Sequence, residues 1–220
     1  MDEFIREVDE EYRRQRIAEI WKRYSALIVG AALLLIAGVA GWRYSQHVAL
    51  QRSEAASGRY DAAVRLAREG KDADAQKAFD ALAAEAPDGY RLLARFRAAA
   101  EAGKTDGPAG ARAYDAIAAD AQVSGSMRDL ARLRAATLRL GGSEAQAAAG
   151  ELERLASPNG TYRHTARELL GLAALKRGEP DAASRWFDQI AGDRDTPQGL
   201  RSRLEVYSAL AAGGVVQATQ

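Results

Sequence analysis

The sequence predicts an all-α protein, with an N-terminal single transmembrane helix followed by an α-solenoid of about four helix hairpins. Three observations predict it. Alanine is abundant while aromatics make up 7% of the 220 residues, and alanine is the best helix former. Ser25 to Trp42 is an apolar run without a single charge. Beyond it, the chain repeats itself at intervals of roughly 35 residues, the period of a stacked helix pair.

The apolar run, SALIVGAALLLIAGVAGW, is 18 residues long, close to the shortest stretch that crosses a bilayer as a helix. Trp21 and Tyr24 precede it, and Trp42 and Tyr44 follow, so amphipathic rings bracket it at both interfaces. Lys22 and Arg23 abut the run with Arg13, Arg14 and Arg16 upstream, whereas Arg43 and Arg52 are the close basic residues beyond it. That bias places residues 1–24 in the cytoplasm and the bulk of the chain across the membrane. A cleaved signal peptide is the competing interpretation, since Val39-Ala40-Gly41 is small enough to cut. The seven acidic residues between Asp2 and Glu19 are unlike a basic leader. A buried core helix is opposed by the flanking aromatics and the lack of a polar face. Within 1–24, Phe4, Ile5, Val8 and Tyr12 recur at helical spacing and Ile17, Ile20, Trp21 and Tyr24 continue the pattern, which predicts an amphipathic helix running into the anchor.

From 43 to 213 the repeats follow, with 214–220 expected as a flexible tail. Phe79/Leu82, Tyr114/Ile117, Leu152/Leu155 and Phe187/Ile190 mark four second helices. Arg91, Arg128, Arg163 and Arg201 mark the helices between them, with Ala94, Ala131 and Ala166 and then Arg95, Arg132 and Arg167 behind. Breakers fall between these markers: Pro87-Asp88-Gly89, Ser124-Gly125-Ser126, Ser157-Pro158-Asn159-Gly160 and Thr196-Pro197 after each second helix. Gly103 to Gly110, Gly141-Gly142-Ser143 and Gly178-Glu179-Pro180-Asp181 separate helices within a hairpin, with Ser143 and Asp181 as expected N-caps. Ala63 before Ala75, and Gly171 before Ala183, put small residues where paired helices cross. Whether the helix leaving the anchor bends at Ser57-Gly58 is open.

Leu170-Gly171, Ala183 and Phe187 resemble the small/aromatic ladder of the tetratricopeptide repeat, though its leading tryptophan and several terminal prolines are missing or displaced. The whole chain further resembles the YfgM-like family of bacterial inner-membrane proteins. The leader Phe4-Ile5-Arg6-Glu7-Val8-Asp9-Glu10-Glu11, Trp21 before a single anchor, Gly41-Trp42-Arg43 closing it and degenerate repeats behind carry that likeness. The resemblance implies an ancillary subunit of the SecYEG translocon, a membrane-anchored adaptor whose periplasmic domain links nascent secreted chains or periplasmic chaperones to the Sec machinery. A homo-oligomeric envelope scaffold, for example in cell division, is the alternative.

Catalysis is not expected. His47 and His164 are the only histidines and lie far apart in the chain, cysteine is absent, and no phosphate-cradling glycine loop or nucleophile elbow occurs. No metal, cofactor or nucleic-acid partner is expected, the last because the net charge is only +1. Partners should be other proteins and, through Ser25–Trp42, the lipid bilayer. In a stack of this kind the first helices line the concave face, which nominates Leu93, Phe96, Leu130, Leu133, Thr137, Glu168 and Leu172 as protein-binding. The same side chains could instead pack between neighbouring hairpins. Arg95, Arg132 and Arg167 form either a basic ladder or solvated pairs with nearby acids. The groove asparagines and lysines with which some tetratricopeptide domains grip a C-terminal carboxylate have no counterpart, because the lone asparagine, Asn159, sits in a turn.

Overall fold

A computed structural model describes the backbone of residues 2–213 and the side chains of residues 21–27 and 29–213. The expected tail at 214–220 and, in the N-terminal amphipathic pattern, the side chains of Phe4, Ile5, Val8, Tyr12, Ile17 and Ile20 lie outside the described residues. The chain divides into residues 1–54 and residues 55–220, which are taken in turn.

The first unit is helical throughout its described part, within α1 (Asp2–Arg68). Among the described residues this is the one helix long and apolar enough to cross a membrane, and no part of its most apolar window is buried by protein. Leu34 is 77% exposed and Trp42 67% exposed. A helix of a soluble core would hide such side chains; a bilayer accepts them.

In the second unit the end of α1 packs with α2 (Asp72–Glu85) as the first hairpin. The helix passes Ser57-Gly58 without interruption and ends at a glycine turn. Three further hairpins follow: α3 (Asp88–Thr105) with α4 (Gly107–Ala118), α5 (Gly125–Arg139) with α6 (Ala145–Leu155), and α7 (Arg163–Lys176) with α8 (Pro180–Ala191). A last helix, α9 (Gln198–Ala212), lies against α8 and closes that end. Contacts run from each helix to the next in order along the chain, as in a solenoid.

The core sits where the repeat markers are. Phe79, Leu82, Ile117, Leu152, Phe187 and Ile190 are the largest fully buried side chains, each stabilising the fold by about 1.5–3 kcal/mol through loss of apolar contact with water. All come from second helices and meet alanines of the first helices: Ala63, Ala94, Ala131 and Ala166 are wholly buried. Large against small is what lets antiparallel helices approach.

Local details depart from expectation in two places. Gly103–Gly110 is not a loop: α3 runs through Gly103 to Thr105, and Asp106 alone separates it from α4. A Cβ at Gly110 would lie 2.5 Å from the Gly103 Cα and 2.9 Å from the Ala99 carbonyl oxygen. These glycines permit a crossing that any side chain would block, and they break no helix. The caps also differ. Ser143 and Asp181 make no capping bond, because Glu144 and Glu179 take the N-cap places without side-chain bonds and Asp181 falls inside the first turn of α8. The side-chain cap is Asp106, whose Oδ1 accepts from the Ala109 amide at 2.9 Å, with Pro108 in the first turn behind it. Gly70 and Gly178 hold left-handed φ values of 74° and 75°. There the Lys71 amide reaches the Leu66 carbonyl, and the Glu179 amide the Ala174 carbonyl, at 3.0 Å each, the wrapped helix ending that only glycine adopts without strain.

Candidate protein-interaction face

The first helices carry the side chains on which a binding face depends, and the junction arginines hold those helices in place. Arg91 Nη2 donates to the Ala86 carbonyl at 3.1 Å, and Arg201 Nε to the Thr196 carbonyl at 3.1 Å. Ala86 is the residue at which α2 ends, where a cation is favoured by the helix dipole; the Thr196 carbonyl lies in the turn between α8 and α9. Arg95 Nη1 donates to Asp120 at 2.6 Å and its Nη2 to the Ala116 carbonyl at 3.3 Å. Arg132 pairs with Asp129 at 2.7 Å. Arg167 is 6% exposed and donates to the Ala156 and Gln189 carbonyls at 3.1 and 3.3 Å. Arg95 and Arg132 thus pair with nearby acids inside their own hairpins, whereas Arg167 is buried and ties α7 to the end of the preceding hairpin.

Asp193, in the turn after α8, gathers two arginines and a histidine. Arg163 Nε donates to its Oδ2 at 2.7 Å, Arg167 Nη1 to the same oxygen at 3.3 Å, and His164 Nε2 lies 3.0 Å from it. Its carboxyl is held far below the usual carboxylate range, chiefly by the Arg163 hydrogen bond and next by the Asp195 amide, against the opposing effect of burial. His164 thus works as part of a junction. His47 lies near Gln51, its Nε2 3.1 Å from the Gln51 amide nitrogen. Asp120 is lowered in the same way, first by Arg95 and then by the Gln122 amide.

The seven nominated residues fall into different situations. Leu93 is 47% exposed on α3. Phe96 is half-buried, its ring centroid 5.8 Å from that of Tyr114. Leu130 is half-buried against the core of α5 to α7, and Leu133 is buried within that core at 5% exposure. Leu133 accordingly packs between hairpins. Thr137 is exposed on α5, its Oγ1 donating to the Leu133 carbonyl at 2.7 Å. Leu172 is half-buried on α7. Glu168 is engaged from α9: Arg203 donates to its two oxygens at 3.0 and 3.3 Å, and the Tyr207 hydroxyl to Oε1 at 3.2 Å.

Two side chains of the face are not evident from the repeat markers. Arg97 follows Leu93 by one helical turn, and Arg134 follows Leu130 by the same step. Their common distance from Arg91 and Arg128 is the signal that could have found them. Elsewhere, α4, α5 and α6 enclose a cleft of about 440 Å³ with an alanine floor (Ala118, Ala135, Ala136, Ala148) and a charged rim. On that rim Arg139 pairs with both Asp115 and Glu144, the latter at 2.8 Å.

A ladder of helix hairpins joined by capped turns defines a class of protein, the helical-repeat scaffold whose work is contact with other proteins. The model of the tetratricopeptide repeat-like domain family matches residues 19–206. The chain belongs to that family, whose repeat is a protein-interaction fold and usually non-catalytic. No curated protein and no solved structure matches the chain.

Proposed function

We propose that this protein is a membrane-anchored adaptor at the secretion machinery, with the repeat domain on the far side of the bacterial inner membrane. The observation that carries the proposal is the pairing of an unburied apolar helix with a protein-interaction domain directly behind it. Ser25–Trp42 is the transmembrane segment, residues 1–24 are cytoplasmic and 43–213 form the periplasmic repeat domain. The basic bias at the N-terminal end of the span supports this orientation. The likeness to the YfgM-like family in the leader and around the anchor supports the further step to a translocon subunit that meets emerging chains or periplasmic chaperones.

Leu93, Phe96, Leu130, Thr137 and Leu172 form the contact surface for those partners, with Leu133 beneath it as packing support and Glu168 as its latch to α9. The test is cross-linking in intact cells followed by isolation of the full-length protein in mild detergent. Translocon subunits should be recovered with it. Recovery of the protein alone removes the secretion role.

One observation favours self-association as a second interpretation. Val206 and Leu210 on α9 are 59% and 54% exposed, an apolar pair on the last helix. Sedimentation of the detergent-solubilised chain separates the two: a single oligomer indifferent to unfolded protein supports the scaffold.

A further inference from the structure

We infer that the outward face of α9 seats an amphipathic helix of a partner protein, in the manner of a second helix of the repeat. The partner helix presents an aromatic or leucine side chain, an aliphatic one three residues on, and a lysine or arginine three residues beyond that.

α9 begins as a first helix does. Pro197 precedes Arg201 by four residues, as Pro87 precedes Arg91, and each arginine donates to the carbonyl just before its proline. Counted from the marker arginines, the third residue on packs into the preceding hairpin: Ala94, Ala131, Ala166 and, in α9, Leu204. The eighth residue on receives the helix's own partner. Ala99 shares a core with Tyr114, Ala136 shares one with Leu152, and a Cβ on Gly171 would meet Phe187. In α9 the eighth residue is Ala209, and it is exposed. Val206 stands where Phe96 meets Tyr114 in one hairpin and where Leu133 is buried in the next, yet it too is exposed, with Leu210 one turn on. The opposite face, with Leu200, Leu204 and Ala211, is buried against α8. An end helix ordinarily turns a polar face to solvent; α9 instead displays the small-residue seat of a hairpin. Residues 214–220 number seven, too few for a helix of the kind that fills such seats, the shortest of which, α6, has 11.

Charge decides which helix fits. Four residues past the marker, Arg95 pairs with Asp120 at 2.6 Å and Arg167 with Asp193 at 3.3 Å. Each acid stands three residues beyond the aliphatic residue of its second helix, Ile117 or Ile190. Arg132, at the same place, reaches Glu151 of α6 at 3.9 Å. In α9 the place is taken by Glu205, exposed and without an ion pair among the described residues. A helix seated there matches Glu205 with a cation near its C-terminal end, where its own dipole also favours one. A second copy of this chain fits poorly. Its second helices have their large apolar side chains already buried, and two of them end in Asp120 and Asp193, which Glu205 would repel. Two α9 helices face to face would set small residues against small ones, whereas the hairpins pack large against small.

The test uses the full chain in nanodiscs and fluorescence anisotropy of labelled peptides copied from residues 180–194, lactam-bridged to hold them helical. One keeps the aspartate at 193 and the other carries Asp193→Lys. The lysine peptide should bind about fivefold or more tightly than the aspartate peptide. Glu205→Arg should reverse that order. Ala209→Trp, which fills the seat, should weaken the lysine peptide about tenfold or more, and Val206→Ser should weaken it in the same direction should the larger change disturb folding. Equal binding of the two peptides, binding unmoved by both Ala209→Trp and Val206→Ser, or no binding of either peptide overturns the inference. A dimer in sedimentation that Val206→Ser dissociates overturns it as well, since a second copy then covers the face. Recovery of translocon subunits is a separate readout, so the adaptor role and this seat fail independently.

Discussion

Replacing Gly171 by alanine should destabilise the repeat domain, although alanine is the better helix former. Gly171 lies inside α7, where the exchange alone should stabilise by about 0.8–1 kcal/mol. Opposing it, the new Cβ would sit 2.3 Å from Phe187 Cε1, 2.8 Å from Cζ and 2.9 Å from Cδ1. Phe187 is 1% exposed and stacked on Tyr207 of α9 at 5.4 Å, so its ring has nowhere to retreat. Overpacking of this kind costs about 1–3 kcal/mol; with the ring unable to retreat the cost lies toward the upper end, and the clash outweighs the gain in helix propensity by up to about 2 kcal/mol. Gly150 is the internal control: it lies inside α6 with nothing within 4 Å of a new Cβ, so Gly150→Ala should stabilise by up to about 1 kcal/mol. Urea unfolding of the full chain in detergent, followed by circular dichroism, measures both. The midpoint should fall for Gly171→Ala and rise for Gly150→Ala. Adding Phe187→Leu to Gly171→Ala should cost less than Phe187→Leu costs in the parent, since the clash has gone. A Gly171→Ala protein as stable as the parent, or additive costs in the double variant, would refute the crossing geometry.

Three other outcomes follow from the same contacts. Asp193 has its carboxyl depressed, so its contribution is complete above the ordinary carboxylate range and is lost as pH falls through and below it; melting temperatures from neutral pH down to about 3 should show less acid sensitivity in Asp193→Asn, with a lower starting value. Asp106→Ala removes the side-chain cap of α4 and should cost about 1 kcal/mol, read as a lower urea midpoint, whereas Ser143→Ala should leave it unchanged. Phe79→Ala empties a wholly buried site that meets Tyr60 at 5.4 Å, and should cost about 3–5 kcal/mol in the same measurement.

How much of the fold was legible in the residues depends on what kind of physics wrote it. The hairpin period could be read because Phe79, Tyr114, Leu152 and Phe187 each have to fill the same space against an alanine, and that requirement recurs along the chain. The long apolar helix could be read because one property, apolarity without interruption, suffices for it. Glycine was the misleading residue. Gly103 and Gly110 read as breakers because glycine lowers helix propensity, but the structure uses their missing Cβ atoms for a close crossing, a fact about another helix that no local window contains. The arginines misled in the same way. Their charge suggested the surface, whereas their hydrogen-bonding reach lets Arg91 and Arg167 bind helix-end carbonyls and Arg201 those of the turn before α9. Among the face residues, Leu93 and Leu133 look alike in periodicity, since exposure and packing on a first helix differ by only a small rotation. Glu168 could not be assigned from its own helix, because its partners Arg203 and Tyr207 come from α9, more than 30 residues away.

The absence of cysteine makes the decisive measurement direct. A single cysteine placed at exposed Ser208 on α9 can be labelled with a maleimide that does not cross membranes, in cells whose outer envelope has been opened while the inner membrane stays intact. An anchored adaptor with its repeats outside the cytoplasm predicts full labelling before the inner membrane is breached. Labelling that begins only after detergent is added would put the repeat domain on the cytoplasmic side and contradict the account.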